Sequence, residues 1–383
     1  MRRHKSLPHP LSRVDLQATR ELVSLCLDPT GTELATKREG WDELLPLALY
    51  HGVAPLLWSR LKNQKLAHPV RVRLAGLYTA NLVRNQQLKA QQEKVLAAFV
   101  DNAVPAWPLK GTHLSDILYG DLALRQVTDI DILIQPRSLQ KADQVLADLG
   151  YVRNVHDEIA RVRRNRAFVY LKSTCQGSLF LLDLHQRLSP YSQRDPLVER
   201  IWANGMTPEN LLIYLCVNQV LHRFARLKYL LDIKMLIDRA TNEIDWDLVV
   251  KIAKEAEFAP GIYHSLESVC ELAGTRVPAS VLAALRPSWF SRKFVQCVLG
   301  FDTITTLSRG SALAGPYGAF AVVACTEGTS ERLNHVRKLL FPPASEIRAR
   351  RWARPEQATF PLYLDRLVRK VPTAVRDLVK SVF

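Results

Sequence analysis

In the run Val127 to Ile134 (VTDIDILI), polar and apolar side chains alternate with the two-residue period of a strand that has two unlike faces. Asp129 and Asp131 then share one face, while Ile130 and Ile132 pack on the other. Two adjacent carboxylates repel and resist ionising together, an arrangement that makes sense with a divalent cation between them. Pro136 closes the run, Ser138 can cap a helix reaching about Leu149, and Gly150 stops that helix.

On either side the period changes. From about Asp15 to Ala98 apolar residues recur at helical spacing, as in Trp41, Leu44, Leu45, Leu47 and Ala48 and again in Leu88, Val95 and Phe99. Between Asn102 and Leu188 short Val- and Ile-rich runs alternate with helical stretches, with two further strands expected at Ala167 to Leu171 and Leu179 to Leu184. Thr207 and Pro208 read as an N-cap and first helical residue, opening a run from Glu209 to about Ala240. That is too long for one ordinary helix, and a break is expected near Arg223 to Leu227. A further helix should start at Asp245 to Asp247, because acids favour the positive end of a helix, so this second D-x-D is read as a cap. The expected fold is α+β, a small mixed-sheet domain flanked by N- and C-terminal helical domains. Its divisions are 1–100 (helical), 101–200 (mixed α and β), 201–285 (helical) and 286–383 (mostly helical and basic).

A chain of 383 residues that is 48% hydrophobic and 23% charged can bury a large core, which excludes wholesale disorder and low-complexity architecture. Lysine and arginine exceed aspartate and glutamate by 52 to 37, a net charge of +15 that favours anionic partners. From residue 331 onward twelve basic residues accompany five acids. The six cysteines are dispersed and form no C-x-x-C, as expected of buried thiols in a reduced compartment, and a zinc site is not expected. The basic N-terminus lacks the apolar run of a secretory signal, and the stretch Ala312 to Cys325 is too short and too broken to span a bilayer. The chain therefore reads as cytoplasmic, without a transmembrane segment.

A third acid, Asp183, alternates with Leu182 and Leu184, so it too faces away from its apolar neighbours. If the two strands are neighbours, three acids converge, and with phosphate and water oxygens they would satisfy one or two Mg²⁺. Leu109-Lys110-Gly111-Thr112 precedes a helical stretch. Thr112 could cap it, backbone N–H groups there could receive a phosphate, and Lys110 and Arg125 would add positive charge beside it. A solvated lysine, a turn glycine and an ordinary cap would read the same way. His185 is compatible with orienting a carboxylate, contacting a nucleotide or filling a polar niche. Arg161, Arg163, Arg164 and Arg166, with Arg153 upstream, read either as a polyanion site or as a solvated loop. Lys228 and Asp232, one turn apart, read as a surface ion pair or as the border of a cleft. No G-x-x-x-x-G-K-[ST], H-E-x-x-H, G-x-S-x-G or G-x-G-x-x-G occurs.

The stretch LKGTHLSDILYGDLALRQVTDIDILI with the later LDLHQRL resembles the uncharacterised nucleotidyltransferase family of the DNA polymerase beta superfamily. Its members pair a K-G turn with R-x-x-D-x-D and a later acid-x-His strand. WDELLPLALYHGVAPLLWSRL upstream and LLIYLCVNQVLHRFARLKYLLDIKMLI with IDWDLVVKIAKEAEF downstream are similar to that family's helical segments, so roughly residues 15 to 280 share the likeness. Thr112 stands where the superfamily prefers Ser, Asn218 and Gln219 stand where relatives often carry His-Gly, and Gln186 replaces a common Trp.

The resemblance implies a nucleotidyltransferase palm and a Mg²⁺-dependent, nucleotide-binding transferase, ATP-binding among other NTPs. It would move a nucleoside monophosphate to a hydroxyl-bearing acceptor and release pyrophosphate. Asp129, Asp131 and Asp183 would be catalytic and would hold two Mg²⁺, with Mn²⁺ as a substitute. Lys110, Gly111, Thr112, Arg125 and His185 would bind nucleotide or phosphate. The competing expectations are a non-catalytic member of the fold that binds nucleic acid or acts as a scaffold, and peripheral membrane contact through the basic tail Tyr363 to Phe383.

Overall fold

The computed structural model describes residues 21–27, 40–154, 167–173, 177, 179–188, 195–222, 224, 226–289, 291–292, 325 and 337. The arginines at 161, 163, 164 and 166 and nearly all of the basic tail lie outside the described residues. Arg153 is described and pairs with Asp143 at 2.9 Å.

Five strands form one mixed sheet in the order β1-β2-β5-β4-β3. They are β1 (Ala106–Pro108), β2 (Ile130–Ile134), β3 (Val152–Arg153), β4 (Ala167–Ser173) and β5 (Leu179–His185). β2 and β5 are parallel, and every other pairing is antiparallel. The long VTDIDILI strand is shorter than its alternation suggests. β2 begins at Ile130, and Val127 turns into the core ahead of it.

Both faces of β2 are covered. Ile130, Ile132 and Ile134 pack with Leu88, Val95 and Phe99 of the 34-residue helix α3 (His68–Asp101), and with Ala142, Val145 and Leu146 of α4 (Leu139–Asp148). On the opposite face Leu133 joins a helical core built mainly by α6 (Pro208–Leu221), α7 (Leu227–Arg239), α8 (Trp246–Glu255) and α9 (Ala259–Ala273). Further helices among the described residues include α1 (Trp41–His51), α2 (Ala54–Leu61), α5 (Pro196–Asn204) and α10 (Ala279–Leu285).

Local sequence sets the helix boundaries. Thr207 accepts from the Asn210 N–H at 3.3 Å with Pro208 at the first position, and Asp245 accepts from the Leu248 N–H at 3.0 Å, so both expected caps form. The long run from Pro208 breaks after Leu221, where Phe224 takes a positive φ of 55°, and restarts at Leu227. Ser138 precedes α4 as expected, but its side chain makes no cap bond because residues 136–138 already form a 3₁₀ turn. Gly150, at φ 82°, closes that helix.

α7 joins two hydrophobic cores. Leu227 and Leu231 enter the core of the N-terminal helices α1 and α2, while Leu230, Ile233, Leu236 and Ile237 enter the larger helical core. A buried polar contact reinforces this junction, since the N–H of Leu227 donates to His51 Nδ1 at 3.3 Å. Burial, and then the neighbouring Arg226, lower the pKa of His51 to about 4. In the unfolded chain it titrates near 6.5, so the unfolded state takes up the proton first. Its contribution to stability is therefore complete above that pH and is lost as pH falls toward 4, amounting to about 3 kcal/mol. His51→Asn keeps an acceptor for Leu227 and removes the titration. Urea unfolding between pH 7 and 4 should show a shallower loss of stability in the variant than in the parent.

Among the described residues no helix is long and apolar enough to cross a membrane. The described cysteines, Cys26, Cys216, Cys270 and Cys325, are free thiols.

Candidate active site

The parallel pairing of β2 with β5 is in a register that sets Asp131 directly opposite Asp183 and Leu133 opposite His185. Because side chains alternate along both strands, the leucines and isoleucines between these residues enter the α3/α4 core, and the two acids and the histidine emerge on the other side. Asp131, Asp183 and His185 are all buried, and one ligand-capable atom from each lies within 4.8 Å of the others.

Asp131 is 1% exposed and is the electrostatic centre of the group. Its Oδ1 lies 3.1 Å from Lys110 Nζ and 2.9 Å from His185 Nε2. Burial alone would push this carboxyl upward, but the Lys110 ammonium and the hydrogen bond from His185 outweigh it and hold the group well below the usual carboxylate range. An ionised carboxylate only accepts, so Nε2 of His185 carries the proton in this arrangement and orients Asp131. Burial works against the charge on Lys110, yet Asp131 keeps its pKa well above the ordinary lysine value. The other oxygen, Asp131 Oδ2, is buried with no hydrogen-bond partner among the described residues. A buried, ionised and unpartnered oxygen beside a second carboxylate is costly unless a cation meets it, so this donor set fits a divalent ion.

Asp129 stands one residue ahead of β2, partly exposed, and is not a member of that cluster. The residues that the pairing brings together are Asp131, Asp183 and His185, while Asp129 lies close enough to act on the charge of Lys110.

The Gly111 turn packs against the start of β2. Gly111 has φ 69° and ψ −132°, and a Cβ there would meet the Asp129 carbonyl oxygen at 3.2 Å. Gly111→Ala combines a backbone conformation foreign to L-residues with pressure on Asp129, and should cost about 1–3 kcal/mol in urea unfolding. Thr112 is not the cap expected from sequence. It is the first residue of a short helix whose N-cap is Gly111, and its buried hydroxyl donates to Gln92 Oε1 at 3.3 Å. A π-helical turn, Ser115–Tyr119, follows.

Arg125 has a partner that its sequence neighbours do not reveal. It is 4% exposed and grips Asp232 of α7 with both arms, Nε to Oδ1 and Nη2 to Oδ2 at 2.9 Å each. Tyr119 donates to the same Oδ1 at 2.9 Å, and Nη1 of Arg125 reaches the Gly111 carbonyl at 3.4 Å. The loop is fixed from the other side by α3, where Asn85 donates to the carbonyls of Leu122 and Arg125 at 2.6 and 2.8 Å and Asn81 to those of Ala123 and Arg125 at 2.6 and 3.1 Å. The surface ion pair expected between Lys228 and Asp232 is therefore corrected: both are buried, and Asp232 belongs to Arg125.

The α6/α7 junction supplies residues that the sequence reading left aside. His222 and Tyr229 stack at 4.4 Å with 16° between ring planes. Burial, then Lys110 and Lys228, lower the pKa of His222 to about 3, so it is neutral at pH 7. Lys228 Nζ sits 3.4 Å from the Gln126 carbonyl and 5.3 Å from the Tyr229 ring centroid, with no carboxylate at ion-pair distance among the described residues. Burial, then Arg125, lower its pKa to about 8. The Lys-x₃-Asp spacing flagged Lys228, but His222 and Tyr229 carry no motif signal and become visible only once the two helices meet.

A mixed sheet that presents paired acids from adjacent parallel strands beneath a glycine turn, with helical flanks, has the architecture of a nucleotidyltransferase fold. Residues 37–274 match the model of the uncharacterised nucleotidyltransferase family, and the chain belongs to that family. The searches of curated proteins and of solved structures found no significant match.

Proposed function

We propose that the protein transfers a nucleoside monophosphate from an NTP to a hydroxyl acceptor at the Asp131, Asp183 and His185 cluster on β2 and β5. The observation that carries this reading is the in-register pair Asp131 and Asp183, with one buried Asp131 oxygen lacking a hydrogen-bond partner among the described residues. Asp131 and Asp183 would hold the first divalent ion, with His185 orienting Asp131, and Asp129 would complete the coordination of a second. When bound, Mg²⁺ or Mn²⁺ supplies charge neutralisation for the phosphates and acidifies the attacking hydroxyl.

The acceptor oxygen forms a bond to the α-phosphorus while the bond from that phosphorus to the bridging oxygen of the β-phosphate breaks, and pyrophosphate leaves with the electron pair. Asp183 would accept the hydroxyl proton. Lys110 and Lys228 would face the triphosphate. Arg125, committed to Asp232, would act by holding the Gly111 turn against α7 rather than by touching phosphate, and the His222–Tyr229 stack offers a flat surface to a base or acceptor ring.

Pyrophosphate release from ATP, GTP, CTP or UTP, dependent on added Mg²⁺ or Mn²⁺ and screened against sugar, protein and RNA acceptors, tests the reading. The net charge of +15 favours a second reading, a non-catalytic member of the fold that binds nucleic acid. Strong, salt-dependent RNA binding with no turnover of any NTP would select it.

A further inference from the structure

Two donors converge on one oxygen of Asp131, Lys110 Nζ at 3.1 Å and His185 Nε2 at 2.9 Å, while the other oxygen stays buried without a partner among the described residues. The backbone beneath Lys110 is pinned, because the N–H of Leu109 donates to the Asp131 carbonyl at 3.0 Å and Gly111 packs on Asp129. Its four-carbon stem is flexible. The ammonium is thus a tethered cation on the same carboxylate that a divalent ion would share. A doubly charged ion on Asp131 and an ammonium about 3 Å from the same carboxylate would repel strongly in a site screened from water.

We infer that Lys110 is a built-in counter-ion that holds Asp131 while the site lacks a divalent ion and is displaced when one binds. This rests on the reading that Asp131 and Asp183 hold a metal. The displaced ammonium leaves its carboxylate and becomes a binding group for an anionic substrate. An anion that draws Lys110 away raises the affinity for the metal by the same factor, so metal and polyphosphate bind in mutual support. The resting lysine also keeps the buried carboxylate neutralised between turnovers.

Mn²⁺ binding to the full chain, followed by electron paramagnetic resonance without nucleotide, reads the competition directly. Lys110→Met should bind Mn²⁺ about tenfold more tightly than the parent, the size of an ordinary coupling between sites. Because the variant leaves Asp131 without its ammonium and could fold poorly, a second measurement uses the unmodified protein. Reductive methylation of Lys110, quantified by mass spectrometry, should run several-fold faster with Mn²⁺ present than without. A folded Lys110→Met that binds Mn²⁺ no more tightly than a parent that does bind it, or a Lys110 methylation rate unmoved by Mn²⁺ that binds, overturns this inference and leaves the metal reading standing. Absence of Mn²⁺ binding from both proteins overturns both.

Discussion

Asp131→Asn is expected to abolish metal-dependent NTP turnover, with a loss on the order of 10³-fold or more. Amide substitution keeps the shape and still offers Lys110 and His185 an oxygen, but removes the negative charge that an ion on β2 requires. The several kilocalories per mole of transition-state charge stabilisation that a bound metal supplies correspond to a loss of that size. Asp183→Asn should approach the same loss from the neighbouring strand. The matched substitution at the second D-x-D, Asp245→Asn, should leave turnover unchanged, since Asp245 caps α8 and Asn caps as well. Turnover assays on the folded variants, checked by circular dichroism, separate chemistry from stability. If Asp131→Asn keeps parental turnover, the acid pair is not the reactive centre.

The second large effect concerns stability. Arg125→Met should cost about 3–5 kcal/mol, because it leaves Asp232 without its ion-pair partner at 1% exposure, with the Tyr119 hydroxyl as its remaining hydrogen-bond donor among the described residues. Arg125→Lys should rescue little, since a point charge cannot reproduce the two parallel bonds to Oδ1 and Oδ2. The double replacement Arg125→Met with Asp232→Leu should recover much of the loss, because removing both charges removes the desolvation cost along with the attraction. Urea unfolding of the parent, Arg125→Met, Asp232→Leu and the double variant forms a cycle. A folded Arg125→Met as stable as the parent would mean that the pair does not hold the loop to α7.

The parts of this site that the sequence exposes are those encoded within single strands. The alternation in IDILI and LFLLDLH assigns Asp131, Asp183 and His185 to the face opposite the aliphatic core, and the structure places the apolar partners there as expected. The pairing itself is not local. Asp131 meets Asp183 because β2 and β5 run side by side although α4, β3 and β4 lie between them in the chain, and nothing in either strand states the register. The alternation from Val127 runs ahead of the strand itself, which begins only at Ile130; Val127 is buried in the aliphatic core and Asp129 stays partly exposed just before the strand. β1 and β3, three and two residues long, are too short to show any period.

Long-range polar contacts were hidden for a related reason. The i, i+4 spacing of Lys228 and Asp232 suggests an exposed pair, and only the packing of the Arg125 loop and the N-terminal helices onto α7 buries both. Gly52 shows how tight that packing is, for a Cβ there would meet the Lys228 stem at 2.9 Å. The asparagines of α3 look like surface residues of a polar helix, yet Asn85 is fully buried and serves the carbonyls of the loop that carries Arg125.

If Asp131 and Asp183 together receive a divalent ion beside the phosphates of an NTP, a crystal structure with Mn²⁺ and a non-hydrolysable NTP analogue, read through the anomalous signal of manganese, will show a manganese peak between the two carboxylates and a phosphate oxygen of the analogue. A peak elsewhere, or bound analogue with no metal at these strands, would contradict that placement.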